Sequence, residues 1–189
     1  MKKLMLITFT FILASAFMVN EVSKWSLDGS HSRLGFTITH MGITDVHGEF
    51  SKFDVNIVQP NADFTGSSIE MTAESKSINT GISMRDDHLR AAEYFNVEKF
   101  PKLTFKSTSV KKLKDKEYEI YGEFTLKGVS KKVVLSAIHT GNAKSKAGES
   151  AGLKITGVIK RSDFGIGEVG PGLSDEVKLI ADLEVSKED

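Results

Sequence analysis

Apolar and polar residues alternate through most of the chain beyond residue 30. Leu34, Phe36 and Ile38 are each separated by a single residue, and a period of two is typical of a β-strand with one buried face. The pattern predicts about eight long strands. The further tracts that show it are 46–50, 53–57, 69–73, 103–105, 118–126, 133–137, 153–159 and 177–185.

The apolar positions change parity once, between Phe50 and Phe53. An extra residue in one strand moves all later side chains to the other face, so we predict a β-bulge near Ser51 and Lys52. Short polar connections between the tracts favour antiparallel neighbours. The fold class predicted is all-β, an antiparallel barrel or sandwich without βαβ alternation.

One segment departs from the strand pattern. Ser83 is followed by Asp86 with the spacing of a helix cap and its carboxylate, and Asp86 can pair with Arg90 one turn later. We therefore predict a short helix here that ends well before Pro101.

The N terminus resembles a secretory signal. A basic start at Lys2 and Lys3 precedes an uncharged, largely apolar stretch that contains the small-residue triplet 14–16. A membrane anchor is the alternative, but the apolar run is shorter than the roughly 20 residues that span a bilayer. We predict a signal peptide at 1–16, a flexible segment at 17–23, one barrel domain at 24–187, and a periplasmic or secreted location.

Charge and cysteine content restrict the possible functions. The chain has 25 basic and 25 acidic residues, so it offers no electrostatic attraction for nucleic acid. It has no cysteine, which excludes thiolate metal sites, cysteine nucleophiles and disulfides.

Two glycine motifs resemble catalytic or cofactor signatures but lack their context. The run 148–152 matches G-x-S-x-G, yet a strand pattern follows it and no histidine lies after Ser150. The run 165–170 matches G-x-G-x-x-G, but Pro171 follows instead of a helix, and Glu168 would lie where phosphates bind. We predict ordinary connections and no cofactor.

The five histidines show no ligand spacing on a strand or helix, so we predict structural histidines and no metal site. The phenylalanines are distributed over most of the strands. A barrel of about eight strands has an interior that side chains fill or that holds one elongated ligand, and both readings stay open on this pattern. The candidate lining residues, which share the apolar parity of their strands, are Leu34, Phe36, Ile38, Phe105, Phe124 and Leu126.

Several short motifs, in order, resemble the YceI-like family of lipid- and polyisoprenoid-binding proteins. The resemblance covers nearly all of the chain after the predicted signal. Its residues are Asp28-x-x-His31-Ser32 with Phe36 and His40; Val46-x-Gly48-x-Phe50-x-x-Phe53; Ser77-Ile78-x-Thr80; Arg85-Asp86-x-His88-Leu89; Phe100-Pro101 with Phe105-x-Ser107; Gly122-x-Phe124-Thr125-Leu126-x-Gly128-Val129; and Arg161-Ser162-Asp163-Phe164-Gly165. Asn96, Phe100 and Lys132 depart from residues that are frequent in the family.

This resemblance implies an extended, lipocalin-like barrel with an inserted helical segment, exported to the periplasm. It implies a carrier of a long-chain isoprenoid or fatty-acid-type lipid with no catalytic residues, and it is compatible with a homodimer. If the helix at Ser83 closes one mouth of the barrel, Arg85 and His88 would favour a polar or anionic head group there.

Two other functions remain open on the sequence. One is an enzyme that uses the same pocket, with His88, His31 and neighbouring carboxylates as acid–base groups. The other is an interaction scaffold whose interior is completely filled.

Overall fold

The computed structural model describes residues 22–146 and 148–188, so the predicted signal peptide lies outside the described residues. The chain forms eleven strands and one α-helix there, together with 3₁₀ turns at Ser75–Ser77 and Arg161–Phe164. The strands are β1 (Ser23–Leu27), β2 (Arg33–His40), β3 (Thr44–Phe50), β4 (Phe53–Gln59), β5 (Ser68–Glu74), β6 (Ile78–Asn79), β7 (Lys102–Lys114), β8 (Glu117–Leu126), β9 (Val129–Ser145), β10 (Gly148–Lys160) and β11 (Leu173–Lys187); the helix is α1 (Ser83–Arg90).

Eight of the strands close into an antiparallel barrel, which confirms the predicted fold class. The order around the barrel is β1-β4-β5-β7-β8-β9-β10-β11, and β11 pairs with β1 to close it. β1 begins at Ser23, the last residue of the segment predicted to be flexible, and Ser23 pairs with Gln59 of β4.

Strand β11 is long enough to pair with two strands on one edge. Residues 185–187 pair with β1, whereas 173–182 pair with β2. β2 then pairs with β3, and β3 pairs with the two-residue strand β6. The barrel is therefore closed by strand pairing at the β1 end, which we call the lower end. At the other end, the upper end, α1 follows β6.

The predicted bulge at Ser51 and Lys52 is wrong, because the strand ends there. The two residues form a bend, after which β3 and β4 have different partners, β2 and β6 for the first and β1 and β5 for the second. The parity changes because the chain passes from one part of the sheet to another.

The helix lies where it was predicted, but its polar contacts differ. Ile82, not Ser83, is the N-cap residue, and no side chain caps the helix. The predicted pair of Asp86 with Arg90 is also wrong. Arg90 pairs with Asp87 at 2.7 Å, whereas the buried Asp86 accepts hydrogen bonds from the backbone and hydroxyl of Thr80. Among the helices of the described residues, none is long and apolar enough to cross a bilayer.

The solid core occupies the lower end of the barrel. Inward residues of β1, β4, β8 and β11 are almost fully buried there, among them Trp25, Ile57, Ile120 and Val185. Phe64, in the loop between β4 and β5, packs its ring 6.1 Å from Trp25 and 6.4 Å from Tyr118. Burial and the negative charge of Asp63 raise the pKa of Tyr118. This aromatic cluster fills the lower end, so the space left inside the barrel lies above it.

Candidate functional site

An apolar cavity of about 580 Å³ occupies the upper end of the barrel. We call it the upper chamber. Its walls are the upper ends of β2, β3, β7, β8, β10 and β11, and α1 with the segment after it lies across the top. The lining side chains are mostly apolar and include Ile38, Val46, Leu89, Phe95, Leu126, Ile159, Ile166, Leu173 and Val177.

A smaller cavity of about 90 Å³, the lower chamber, continues deeper into the barrel. Five residues line both chambers and therefore lie at the boundary between them, which we call the passage: Phe36, Phe50, Leu103, Phe124 and Leu179. The rings of Phe36 and Phe50 pack on each other at this boundary, with their centroids 5.9 Å apart. A ligand in the upper chamber would have to displace or pass these side chains to reach the lower chamber.

Glycines on neighbouring strands give two of the inward rings their room. Phe36 on β2 is the register partner of Gly48 on β3, and its ring covers the glycine so closely that an added Cβ would lie 2.3 Å from Cζ. Phe105 on β7 covers Gly122 on β8 in the same way, at 2.4 Å. The rings lie against the wall because the glycines have no side chains.

All six residues predicted to line the interior face a chamber. Ile38 and Leu126 line the upper chamber, Leu34 and Phe105 line the lower chamber, and Phe36 and Phe124 line both. Alternation along each strand was sufficient to find them, since it fixes which side chains point inward. That any of them contacts a ligand stays a prediction.

Arg85 and His88 from α1 lie at the opening of the upper chamber. The guanidinium of Arg85 donates to the hydroxyl and carbonyl oxygens of Thr80, at 2.7 and 2.8 Å, and Thr80 is held in turn by Asp86. Within the described part of the chain, Arg85 has no ion pair with a carboxylate. Among the described residues, no carboxylate oxygen therefore lies within 4 Å of this guanidinium at the opening.

His88 contacts Glu93 through Nε2 and packs its ring 4.9 Å from that of Tyr94. It is mostly exposed, with Glu93 beside it. His31, the other histidine of the enzyme hypothesis, does not line either chamber. It lies between β1 and β2, where its hydrogen bond with Asp28 raises its pKa. The structure therefore does not bring the two histidines into one site.

Sequence reasoning gave no role to Arg161, which organises one side of the opening. Only 4% of this residue is exposed, and its guanidinium donates to the carbonyl oxygens of Ile166, Glu168, Leu173 and Ser174 at 2.9–3.2 Å. The loop of the G-x-G-x-x-G run thus folds around an arginine. An arginine at the end of an apolar strand and before a glycine-rich loop was the available signal.

One trio of metal-ligating side chains occurs in the described residues. Ligand atoms of Asp28, His31 and Glu184 lie within 4.8 Å of one another, at the junction of β1, β2 and β11. Asp28 is already bonded to the backbone of Ser30 and to the ring of His31, both at 2.9 Å. Through these contacts, Asp28 stabilises the turn between β1 and β2.

Comparison with known proteins places this architecture in a family. Residues 25–185 match the YceI-like domain. Protein YceI of Salmonella agona is 38% identical over 95% of either chain. The crystal structure of a Campylobacter jejuni YCEI protein superimposes with a TM-score of 0.70 at 32% identity, covering 86% of this chain and 96% of that one.

A polyisoprenoid binding domain from Saccharophagus degradans shares the fold at 16% identity, with a TM-score of 0.63 over 87% of this chain and 98% of that domain. The order of motifs, the closed barrel and these matches over nearly the full described chain lead to one assignment. The chain belongs to the YceI-like family.

Proposed function

We propose that this protein is an exported carrier that holds one long apolar lipid inside the barrel. The ligand class is an isoprenoid, such as a quinone- or polyprenyl-type chain, or a fatty-acid-type lipid. The observation that carries the proposal is the upper chamber, whose volume of about 580 Å³ falls within the range of roughly 300–1,000 Å³ typical of ligand pockets. The polyisoprenoid binding of the Saccharophagus degradans domain supports the same class.

The energetics favour a ligand recognised by its tail. Each methylene group moved from water into an apolar site contributes about 0.8 kcal/mol, so a tail of ten or so carbons outweighs any single polar contact. A completely filled barrel, as in the scaffold hypothesis, would leave no cavity of this size. The polar groups at the opening would select among head groups.

The head group is expected to lie beside Arg85 and His88. The charge of Arg85 has no carboxylate partner within the described residues, and Thr80 holds the guanidinium in place. Arg85→Ala and His88→Ala should therefore change the preference among lipids that share one tail, and change affinity for the tail much less. If preference is unchanged across acidic, alcohol and quinone head groups, these residues do not form the head-group site.

Organic extraction followed by mass spectrometry of protein from its native host tests the carrier function. We expect close to one lipid per chain. Phe124→Asp should lose this lipid, because a carboxylate in the passage must stay hydrated or become protonated at a cost of several kcal/mol. Val134→Asp, at a half-exposed position outside both chambers, should keep it.

Phe124 also packs on Phe164, with ring centroids 5.7 Å apart, so charge at this position affects packing as well as binding. Ile38→Trp provides a second test, since it places a bulkier ring in the upper chamber without adding charge and should weaken lipid binding. A folded Ile38→Trp protein that binds the wild-type lipid with unchanged affinity, or wild-type protein without stoichiometric lipid, would contradict the proposal.

A further inference from the structure

Three loops surround the opening of the upper chamber. Residues 41–44 connect β2 to β3 and include the first residue of β3, residues 80–84 include the first two residues of α1, and residues 169–173 end with the first residue of β11. Each loop contains or lies next to residues that line the chamber, for example His40 and Val46 on either side of the first, and Thr80 within and Arg85 after the second. The first and third are joined by a hydrogen bond of 3.0 Å from the Met41 amide to the Gly172 carbonyl. We call these segments the rim loops.

The rim loops expose large apolar side chains to solvent. Ile43 is 86% exposed and Met84 is 81% exposed, more than any other large apolar residue in the described part of the chain. Met41, Ile82 and Val169 on the same loops are more than half exposed. Apolar exposure is therefore concentrated around the opening, and a concentration of this kind marks an interaction surface.

The rim loops also have no charged residue. None of their fourteen residues is Asp, Glu, Lys or Arg, in a chain in which 26% of residues are charged. Burying the loops in an apolar medium would thus remove no ion from water, which is the main cost of such burial. Three charged residues adjoin the loops: Asp45, Arg85 and Glu168. Arg85 and Glu168 line the chamber, whereas Asp45 is exposed and accepts a hydrogen bond of 2.8 Å from Thr39.

We propose that the rim loops dock on the surface of a lipid bilayer, so that a lipid tail passes between the bilayer and the upper chamber without crossing water. This inference rests on the carrier function proposed above and names the surface from which the carrier loads. The apolar rim is continuous with the apolar wall of the chamber, and its lack of charge matches the uncharged boundary between head groups and acyl chains. A second copy of the chain on the same face would cover the opening instead.

Flotation with unilamellar phosphatidylcholine vesicles tests the proposal. Wild-type protein should float with the vesicles, and high salt should not release it, because the rim loops have no charge. Ile43→Asp combined with Met84→Asp should lower the vesicle-bound fraction about ten-fold or more, since two exposed apolar side chains no longer enter the interface. Neither residue lines a chamber, so the double variant should keep its extractable lipid.

Leu113→Asp is the matched control. Leu113 is 59% exposed near the end of β7, roughly 33 Å along the strand from Leu103 at the chamber, at 3.3 Å per residue. It receives the same substitution at the opposite end of the barrel, and it should float like the wild type.

Three results would overturn docking on a bilayer. They are wild-type protein that stays with the soluble fraction, a folded double variant that floats as well as Leu113→Asp, and release of the wild type by salt alone. Conversion of a dimer to a monomer by the double variant, measured by sedimentation without vesicles, would assign the face to a second copy and overturn it too. Wild-type protein that floats but holds no lipid would contradict the carrier function and leave docking intact.

Discussion

Gly48→Ala should push the ring of Phe36 into the passage between the two chambers. An added Cβ would lie 2.3 Å from Cζ and 2.7 Å from Cε1 of this ring, whereas ordinary contacts begin at 3.4 Å. The ring must therefore retreat by about 1 Å or more from β3. Movement away from β3 takes the ring toward the interior, where the ring centroid of Phe50 lies 5.9 Å from its own.

The expected cost follows from two opposing effects. Overpacking a core position costs about 1–3 kcal/mol, and replacing a glycine in a strand returns about 0.5–1 kcal/mol of backbone entropy. The net destabilisation is about 1 kcal/mol, which lowers the Tm of a domain of this size by about 2–4 °C. In a Phe36→Ala background the clash is absent, so Gly48→Ala should become neutral or slightly stabilising.

Urea denaturation of the four proteins in this double-mutant cycle measures the coupling. We expect about 1.5 kcal/mol between Gly48 and Phe36, clearly more than the roughly 0.3–0.5 kcal/mol found between independent sites. Gly29→Ala is the control, because no atom lies within 4 Å of its added Cβ. Equal effects of Gly48→Ala in both backgrounds would refute the reasoning.

The same variant should shorten the lipid tail that the protein prefers. A ring displaced into the passage blocks the lower chamber, and each methylene group excluded costs about 0.8 kcal/mol, or about four-fold in affinity. Competition among fatty acids of increasing chain length measures this preference. An unchanged preference would mean that the tail does not pass Phe36.

Further outcomes follow from the opening, the β1–β2 junction and the N terminus. Arg161→Lys should lower the free energy of unfolding by about 1.5–3 kcal/mol in urea titrations, since an ammonium group cannot reach four carbonyls, whereas Lys160→Arg next to it should be nearly neutral. The hydrogen bond with Asp28 raises the pKa of His31. The stabilisation of the folded state by protonated His31 is therefore complete below a pH of about 6.5, and it is lost as the pH rises through the folded-state pKa of His31. The Tm difference between wild type and His31→Gln should thus be larger at mildly acidic than at alkaline pH, and a difference that grows with pH would contradict this. The intact mass of periplasmic protein should correspond to cleavage after Ala16, and a mass that retains the first residues would contradict the signal peptide.

The spacing of residues in the sequence did not predict some of the polar contacts of the helix. The spacing of Asp86 and Arg90 allowed a pair within the helix, yet Asp86 holds Thr80 and Arg90 binds Asp87 together with the carbonyl oxygens of Lys76 and Ile78. Carboxylates and guanidinium groups have several partners within reach. Which of them is used depends on the path of the chain before the helix.

The strand pattern by itself determined the fold class and the inward face of each strand, because successive side chains along a strand point to opposite sides whatever the strand pairs with. Leu34, Phe36 and Ile38 could be assigned to the interior on this basis. The order of short motifs likewise identified the family. Both properties depend on residues that are close to one another in the sequence.

Tertiary structure alone decided which strands meet and what space they leave. The short strands β1 and β6, the division of β11 between two partners and the break after Phe50 all depend on pairing between distant segments. The two chambers, the passage beside Gly48 and the loop around Arg161 depend on how these segments pack in three dimensions. The alternation of apolar and polar residues predicts that a side chain points inward, but the size of the cavity that it faces depends on residues far away in the sequence.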